Sequence, residues 1–231
     1  NHSGGGNREG WSKKTCAFSF VTGSALHEPR HLQVVLSTDR VQVTEAAVLS
    51  LSFTDDYGQP GWGAAGTVVL QESGRRLPGS AAADPSRFEV PEGSDGKVEV
   101  KITDREAETV VLAVYASGPY PGDAAVDGGN AADGAAWRGN LVFLPGPPAS
   151  LSVGCAEPKV VVGTQAALAG TVEDVYGNPV EDGTEVSLAA SAGTVASPVL
   201  TSQGAFSAVF AAPEKKQVVR VEARSGEAAA A

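Results

Sequence analysis

Apolar and polar side chains alternate in short runs along most of this chain, and turn residues separate the runs. Leu32, Val34 and Leu36 make one run, Val41 and Val43 a second, and Leu49, Leu51 and Phe53 a third. Alternation of period two puts every second side chain on one face, so each run predicts a strand with one side turned to a core. The stretch DDYGQPG predicts a turn after the third run. Val68 to Leu70, Phe88 to Val90, Val98 to Ile102, Val110 to Tyr115 and Leu141 to Leu144 predict the later strands. No run has helical spacing.

The pattern then occurs a second time. A displacement of 119 places LQVVLSTDRVQVTEAAVLSLSFTDDYGQP, from Leu32, over LSVGCAEPKVVVGTQAALAGTVEDVYGNP, from Leu151, without a gap. A displacement of 108 places the segment from Gly96 to Gly118 over the one from Gly204 to Gly226, so the copies differ mainly by an insertion in the first between Tyr57 and Gly96. Short strands at this spacing, with Gly and Pro between them, predict an all-β chain of two tandem Ig-like β-sandwiches preceded by an N-terminal extension strand. The expected division is 1–30 for a loop and donor strand, 31–147 for the first domain and 148–231 for the second.

The copies end differently. After Ser117-Gly118 the first runs through a Gly/Ala-rich loop into RGNLVFLPG, whereas Gly226 of the second is followed by EAAAA. The second domain is therefore expected to lack its final strand. A segment of the missing kind stands at the front of the chain. Ser3 to Gly23 carries a Gly-Gly-Asn, then Trp11 against Trp137, then Phe18 and Phe20 against Leu141 and Phe143. A sandwich without its last strand exposes a sheet edge and a core groove, and an added strand satisfies both. Cys16, Ala17, Phe18, Ser19, Phe20 and Val21 are the expected intersubunit strand, given head to tail to the second domain of the next copy. Such an exchange does not close on itself and builds an open fibre. In this reading EAAAA and NHSG together rebuild the loop before the donated strand.

Two cysteines bear on the same point, because neither Cys16 nor Cys155 has a partner within its own repeat. Cys155 stands at the repeat position of Leu36, on the first strand of the second domain. First and last strands of such sandwiches run side by side, so a donated strand would bring Cys16 of one copy towards Cys155 of the next. An intersubunit disulfide is one reading; a small buried hydrophobe at Cys155 and an unpaired Cys16 is the other.

Composition narrows the function classes. The net charge is −10 and the pI near 4.8, without the basic stripe that phosphate binding needs, so nucleic acid is not an expected partner. No apolar stretch is long enough for a membrane-spanning helix. There are 28 Gly and 14 Pro, which favours turns between strands. No Met occurs, and the expectation is a processed mature chain or an excerpt of a longer one.

The repeat turns are Asp55, Gly58 and Pro60 in the first copy and Asp174, Gly177, Asn178 and Pro179 in the second. Gly permits a positive φ and Pro fixes the exit, so both turns read as structural punctuation. GTVEDVYGNPVEDGTEVSLAASAGTV and the junction LVFLPGPPASLSV resemble the bacterial Ig-like repeats of the invasin and intimin group. That resemblance implies an exported cell-surface protein serving as stalk, adhesin or filament, and it implies no ligand. The first copy departs from the turn with Gln59 and Gly61 where Asn and Val would stand.

Catalytic chemistry is not expected. His2, His27 and His31 lie in the first segment, and the Pro in HEPRH breaks the spacing of a two-histidine metal site. Nucleophile, phosphate-loop and Cys-x-x-Cys patterns are missing from the sequence. The acidic loops at Thr54-Asp55-Asp56 and Val126-Asp127 lack the ligand order of a calcium loop. Neither cofactor nor metal is therefore expected. Asn1-His2-Ser3 fits a glycan acceptor, and Trp62 reads either as a contact for a neighbour or as packing on its own insertion. The expected function is the structural subunit of an extracellular filament, a homopolymer with self as partner and any host or cell-surface ligand unknown. The alternative is an excerpt of stalk repeats from a single-chain adhesin. A carbohydrate-binding module would need aromatics in a row on strands, and Trp11, Trp62 and Trp137 lie in loops or at loop ends.

Overall fold

Alternation along the chain becomes alternation of burial. In a computed structural model, residues 27–73, 76–77, 79–117 and 134–230 are described, and every element among them is a strand. The first group comprises β1 (His31–Leu36), β2 (Arg40–Gln42), β3 (Ala47–Thr54), β4 (Ala65–Gln71), β5 (Ala82–Asp84), β6 (Arg87–Glu89), β7 (Lys97–Thr103), β8 (Thr109–Ser117) and β9 (Trp137–Leu144). The second comprises β10 (Ser150–Cys155), β11 (Gln165–Glu173), β12 (Glu185–Ala190), β13 (Thr194–Val195), β14 (Val199–Leu200), β15 (Ala205–Ala211), β16 (Val221–Ser225) and β17 (Ala228–Ala230). The described residues include no helix long and apolar enough to cross a membrane.

Each group folds into a sandwich of two sheets. The first pairs β1-β3-β7-β5 with β2-β9-β8-β4-β6, and the second pairs β10-β11-β15-β13 with β14-β12-β16-β17. Leu49, Leu51 and Phe53 of β3 are fully buried, and so are Val100 and Ile102 of the neighbouring β7. Val110, Leu112 and Val114 of β8 face them from the other sheet, with Leu141 and Phe143 of β9 closing the core. The second core is smaller and gathers Leu168, Val172, Val186, Leu188, Phe206, Phe210 and Ala223. Fewer and smaller side chains hold the second sandwich. The chain is therefore all-β, built of two tandem Ig-like sandwiches.

Strand registers match the repeat where it was read without gaps. Leu49 lies opposite Val100, and its counterpart Leu168 lies opposite Ala208, as displacements of 119 and 108 require. One strand departs. Val110, Leu112 and Val114 are fully buried, whereas Val218 and Arg220, at a displacement of 108 from the first two, are exposed and the fully buried residue is Ala223 rather than Glu222, so β16 runs one residue beyond the displacement of 108. The loop between β15 and β16 absorbs that residue. The true counterparts of Val110, Leu112 and Val114 are thus Val219, Val221 and Ala223, and Val218 is left 97% exposed.

A further correction concerns the end of the second copy. Ala228–Ala230 does not rebuild a loop, because it forms β17 antiparallel to β16, with Ala230 opposite Ala223. That is the level at which Trp137 of β9 stands opposite Val114. The place of the final strand is therefore partly filled. The N-terminal segment, including Trp11 and the strand from Cys16 to Val21, lies outside the described residues.

Candidate strand-acceptor groove and interdomain joint

β9 has two tasks in the first sandwich. It pairs antiparallel with β8, where Val110 lies opposite Leu141, and parallel with β2, where Val41 lies opposite Phe143. Two further bonds tie the region, from Val43 N to Leu144 O at 2.9 Å and from Phe143 N to Glu108 O at 2.7 Å. Val41 and Val43 are buried as a result.

In the second sandwich, no strand among the described residues pairs with the corresponding segment. Val160 and Val162 are the repeat counterparts of Val41 and Val43, but residues 159–161 form no strand. Val162 is 45% exposed where its counterpart Val43 is 3% exposed, and Val160 is half-buried where Val41 is buried. Residues 218–220 likewise lie outside β16, although their counterparts lie in β8. Between these segments runs an open groove of about 400 Å³, lined by Val153, Val160, Val162, Leu168, Phe210, Val219 and Val221. Lys215, Lys216 and Glu157 stand among its polar lining residues. Its Val160 and Val219 are the repeat counterparts of Val41 and Val110, which lie opposite Phe143 and Leu141 of β9 in the first sandwich. β17 pairs antiparallel with β16, as β9 does with β8.

Cys155 also lines this groove and is exposed, in no disulfide among the described residues. The reading of Cys155 as a small buried hydrophobe is therefore corrected. It closes the outer end of β10, opposite Leu168, where the partly buried Leu36 stands in the first sandwich.

The two repeat turns share one geometry. Asp55 Oδ1 accepts bonds from Tyr57 N and Gln59 N at 2.8 Å each, and Asp174 Oδ1 accepts from Tyr176 N and Asn178 N at 2.8 Å each. Gly58 and Gly177 take φ values of 75° and 78°, which a β-carbon would strain. Pro60 and Pro179 each close the turn with a bridge to Thr54 and Glu173.

The second turn also touches the neighbouring sandwich. Asn178, 2% exposed, donates Nδ2 to Arg105 O at 2.9 Å and to Asp174 Oδ2 at 2.8 Å. Its Oδ1 accepts from Ala107 N at 3.1 Å and Arg76 Nη2 at 2.7 Å. Arg76 also reaches the carbonyls of Gly177 and Tyr176. Asp174 Oδ2 accepts from Gly146 N at 2.9 Å, tying the linker after β9 to the same point. The turn read as punctuation is thus also the joint between the sandwiches, and the insertion of the first copy supplies the arginine. The sequence held one hint, namely Asn178 where the first copy has Gln59.

Trp62 packs on its own sandwich. Its ring stacks on His27 with centroids 4.0 Å apart, and its Nε1 donates to Ser94 O at 2.9 Å. His31 lies 3.4 Å from Asp56.

Comparison with known proteins adds likeness of fold. No protein-family model matches the chain, and no curated protein matches it. Among solved structures, FdeC, described as a broadly conserved Escherichia coli adhesin, is similar at 19% identity over 84% of this chain and 59% of that one, with a TM-score of 0.47. Yersinia pseudotuberculosis InvD is similar at 15% identity over 87% of this chain and 54% of that one, TM-score 0.47. Invasin, described as a bacterial integrin-binding protein, is similar at 15% identity over 86% and 37%, TM-score 0.39. The chain spans between 37% and 59% of the length of these solved chains. They include members of the group that its repeat turn and junction resemble.

Proposed function

We propose that this chain is a structural subunit of an extracellular fibre, whose second sandwich is completed by the strand Cys16–Val21 of a neighbouring copy. The groove in the second sandwich carries this reading, because its apolar lining includes the repeat counterparts of Val41 and Val110, which pair with β9 in the first. Phe18 and Phe20 would stand as Leu141 and Phe143 do, each burial contributing roughly 1.5–3 kcal/mol. Ala230 already occupies the level of Trp137, so the donor enters beyond β17 with its last residues, and Trp11 stays outside the groove. Added backbone bonds along β16 and residues 159–161 supplement the side chains. Cys155 on the groove wall supports an intersubunit disulfide with Cys16. The domains are taken as 31–147 and 148–231, and the acidity of the chain suits a soluble surface in an exported assembly.

The second reading is a continuous stalk, in which the groove is filled by strand from the same polypeptide. The direct run from β9 into β10, pinned by Gly146 on Asp174, is how one sandwich follows another in such an array. A denaturing gel of natural material separates the two. Multiples of the 23.4 kDa chain that collapse on reduction support the disulfide-linked fibre, while one far larger band indifferent to reductant supports the stalk. For the purified chain, Phe18→Asp with Phe20→Asp should abolish assembly seen by light scattering. Unchanged assembly would refute strand donation.

A further inference from the structure

Three strand ends meet at the pole of the first sandwich that faces the joint. Glu72 follows β4, Asp104 follows β7 and Glu108 precedes β8, and each brings one carboxylate oxygen within 4.8 Å of the others. Asp104 is 2% exposed. Its Oδ1 is fully engaged, accepting from the Ser80 hydroxyl, from Arg105 N at 2.6 Å and from Glu106 N at 2.9 Å. Its Oδ2 is buried without any hydrogen-bond partner. A buried carboxylate oxygen left unbonded beside two other carboxylates is unfavourable unless something positive completes it.

We propose that Glu72, Asp104 and Glu108 form a calcium site. Calcium takes six to eight oxygens at about 2.3–2.6 Å, so ligand oxygens on opposite sides lie about 5 Å apart, and the observed spread fits inside that span. All the side-chain ligands are hard oxygens, and no imidazole or thiolate lies among them to favour zinc. Glu72 is already oriented, with Oε1 accepting from Ala81 N and Oε2 from Gly79 N at 2.6 Å each. Each of its oxygens keeps a second lone pair for a cation. Ser73 Oγ holds Glu108 Oε2 at 3.0 Å, fixing the third ligand. Water supplies the remaining positions.

The placement gives the ion a structural consequence. The segment from Asp104 to Glu108 has the acidic cluster at its two ends and grips Asn178 through Arg105 O and Ala107 N between them. Glu72 in turn holds the loop that carries Arg76 to the same asparagine. Calcium therefore fixes the first sandwich's half of the joint. This site is independent of the strand-donation reading, and neither stands or falls with the other.

The test is calorimetric titration of CaCl2 into the chelator-stripped full chain, with thermal melts in EDTA and in millimolar calcium. The expected result is saturable binding near one ion per chain and a rise in the melting temperature. Glu108→Gln, at a half-buried position, keeps the fold and should weaken affinity about tenfold or more. Asp104→Asn should remove binding, and its EDTA melt reports whether the fold survives. No binding by the wild-type chain, or affinity unchanged in Glu108→Gln, overturns the proposal. Fibre formation is scored separately in EDTA.

Discussion

Replacing Asn178 by Ala removes the centre of the joint without touching either core. The carboxamide makes four contacts, three of them to the neighbouring sandwich and one to Asp174 within its own turn. Truncation leaves Ala107 N–H and Arg105 C=O without their partner in a site that is 2% exposed at the asparagine. An unsatisfied buried group costs about 1–3 kcal/mol, and water entering the joint recovers part, so a loss of about 2–4 kcal/mol is expected. For a coupled two-sandwich unit of this size that corresponds to roughly 4–16 °C in its melting temperature. The assay is differential scanning calorimetry of the full chain, with Arg76→Ala and the double variant completing a cycle. Because Arg76 donates to the same oxygen, the double variant should lose far less than the sum of the singles. A change below about 0.5 kcal/mol in Asn178→Ala, or strict additivity with Arg76→Ala, would mean that the turn does not hold the sandwiches together.

Three other expectations follow from the packing. Leu141→Ala in β9 should destabilise the first sandwich by about 2–5 kcal/mol in denaturant melts, because that side chain is fully buried. Gly170→Ala should destabilise the second by about 1–3 kcal/mol or more, since an added β-carbon would meet Ser152 O at 2.1 Å and the Phe206 ring at 2.4 Å. A synthetic peptide of residues 15–23 added to the chain lacking its N-terminal segment should raise the melting temperature of the second sandwich, by about 2.7 kcal/mol of stabilisation at one hundred times the dissociation constant. No shift at saturating peptide would count against the groove as an acceptor.

The repeat, the strand runs and the two turns were legible because each is a local pattern, readable from neighbours one or two positions apart. The joint was not. Asn178 meets Arg76, Arg105 and Ala107 across 102, 73 and 71 positions, and no periodicity links them. The acidic trio was hidden for the same reason, since Glu72, Asp104 and Glu108 converge only once three strand ends share a pole. The one-residue slip in β16 was hidden differently. Val218 and Val219 are chemically identical, so only the burial of Ala223 rather than Glu222 decides which of them faces the core. A slip of one residue reverses a strand's faces, and sequence alignment cannot see which face is which when both positions carry valine.

The first sandwich supplies an internal control for the groove in the second. In it, β9 at once extends the ladder of β8, recruits β2 as a strand and fills the core end with Leu141 and Phe143. Thr109 and Val110 of β8 pair with β9 alone, since β4 reaches only to Val111. In the second sandwich the three features change together: residues 218–220 lie outside the ladder, residues 159–161 form no strand, Val162 is exposed, and Val160 and Val219 are half-buried where Val41 and Val110 are buried. Val160, Val162 and Val219 all stay apolar, although each is less buried than its counterpart Val41, Val43 or Val110. Their side chains are those that a β9-like strand would cover, and burial is what rewards them. On the proposed strand donation, one partner strand would account for all three, and adding it should restore all three at once, with slowed amide exchange at residues 159–161 and 218–220 on addition of the donor peptide. Protection confined to one of the two segments would show that the peptide binds elsewhere than between them.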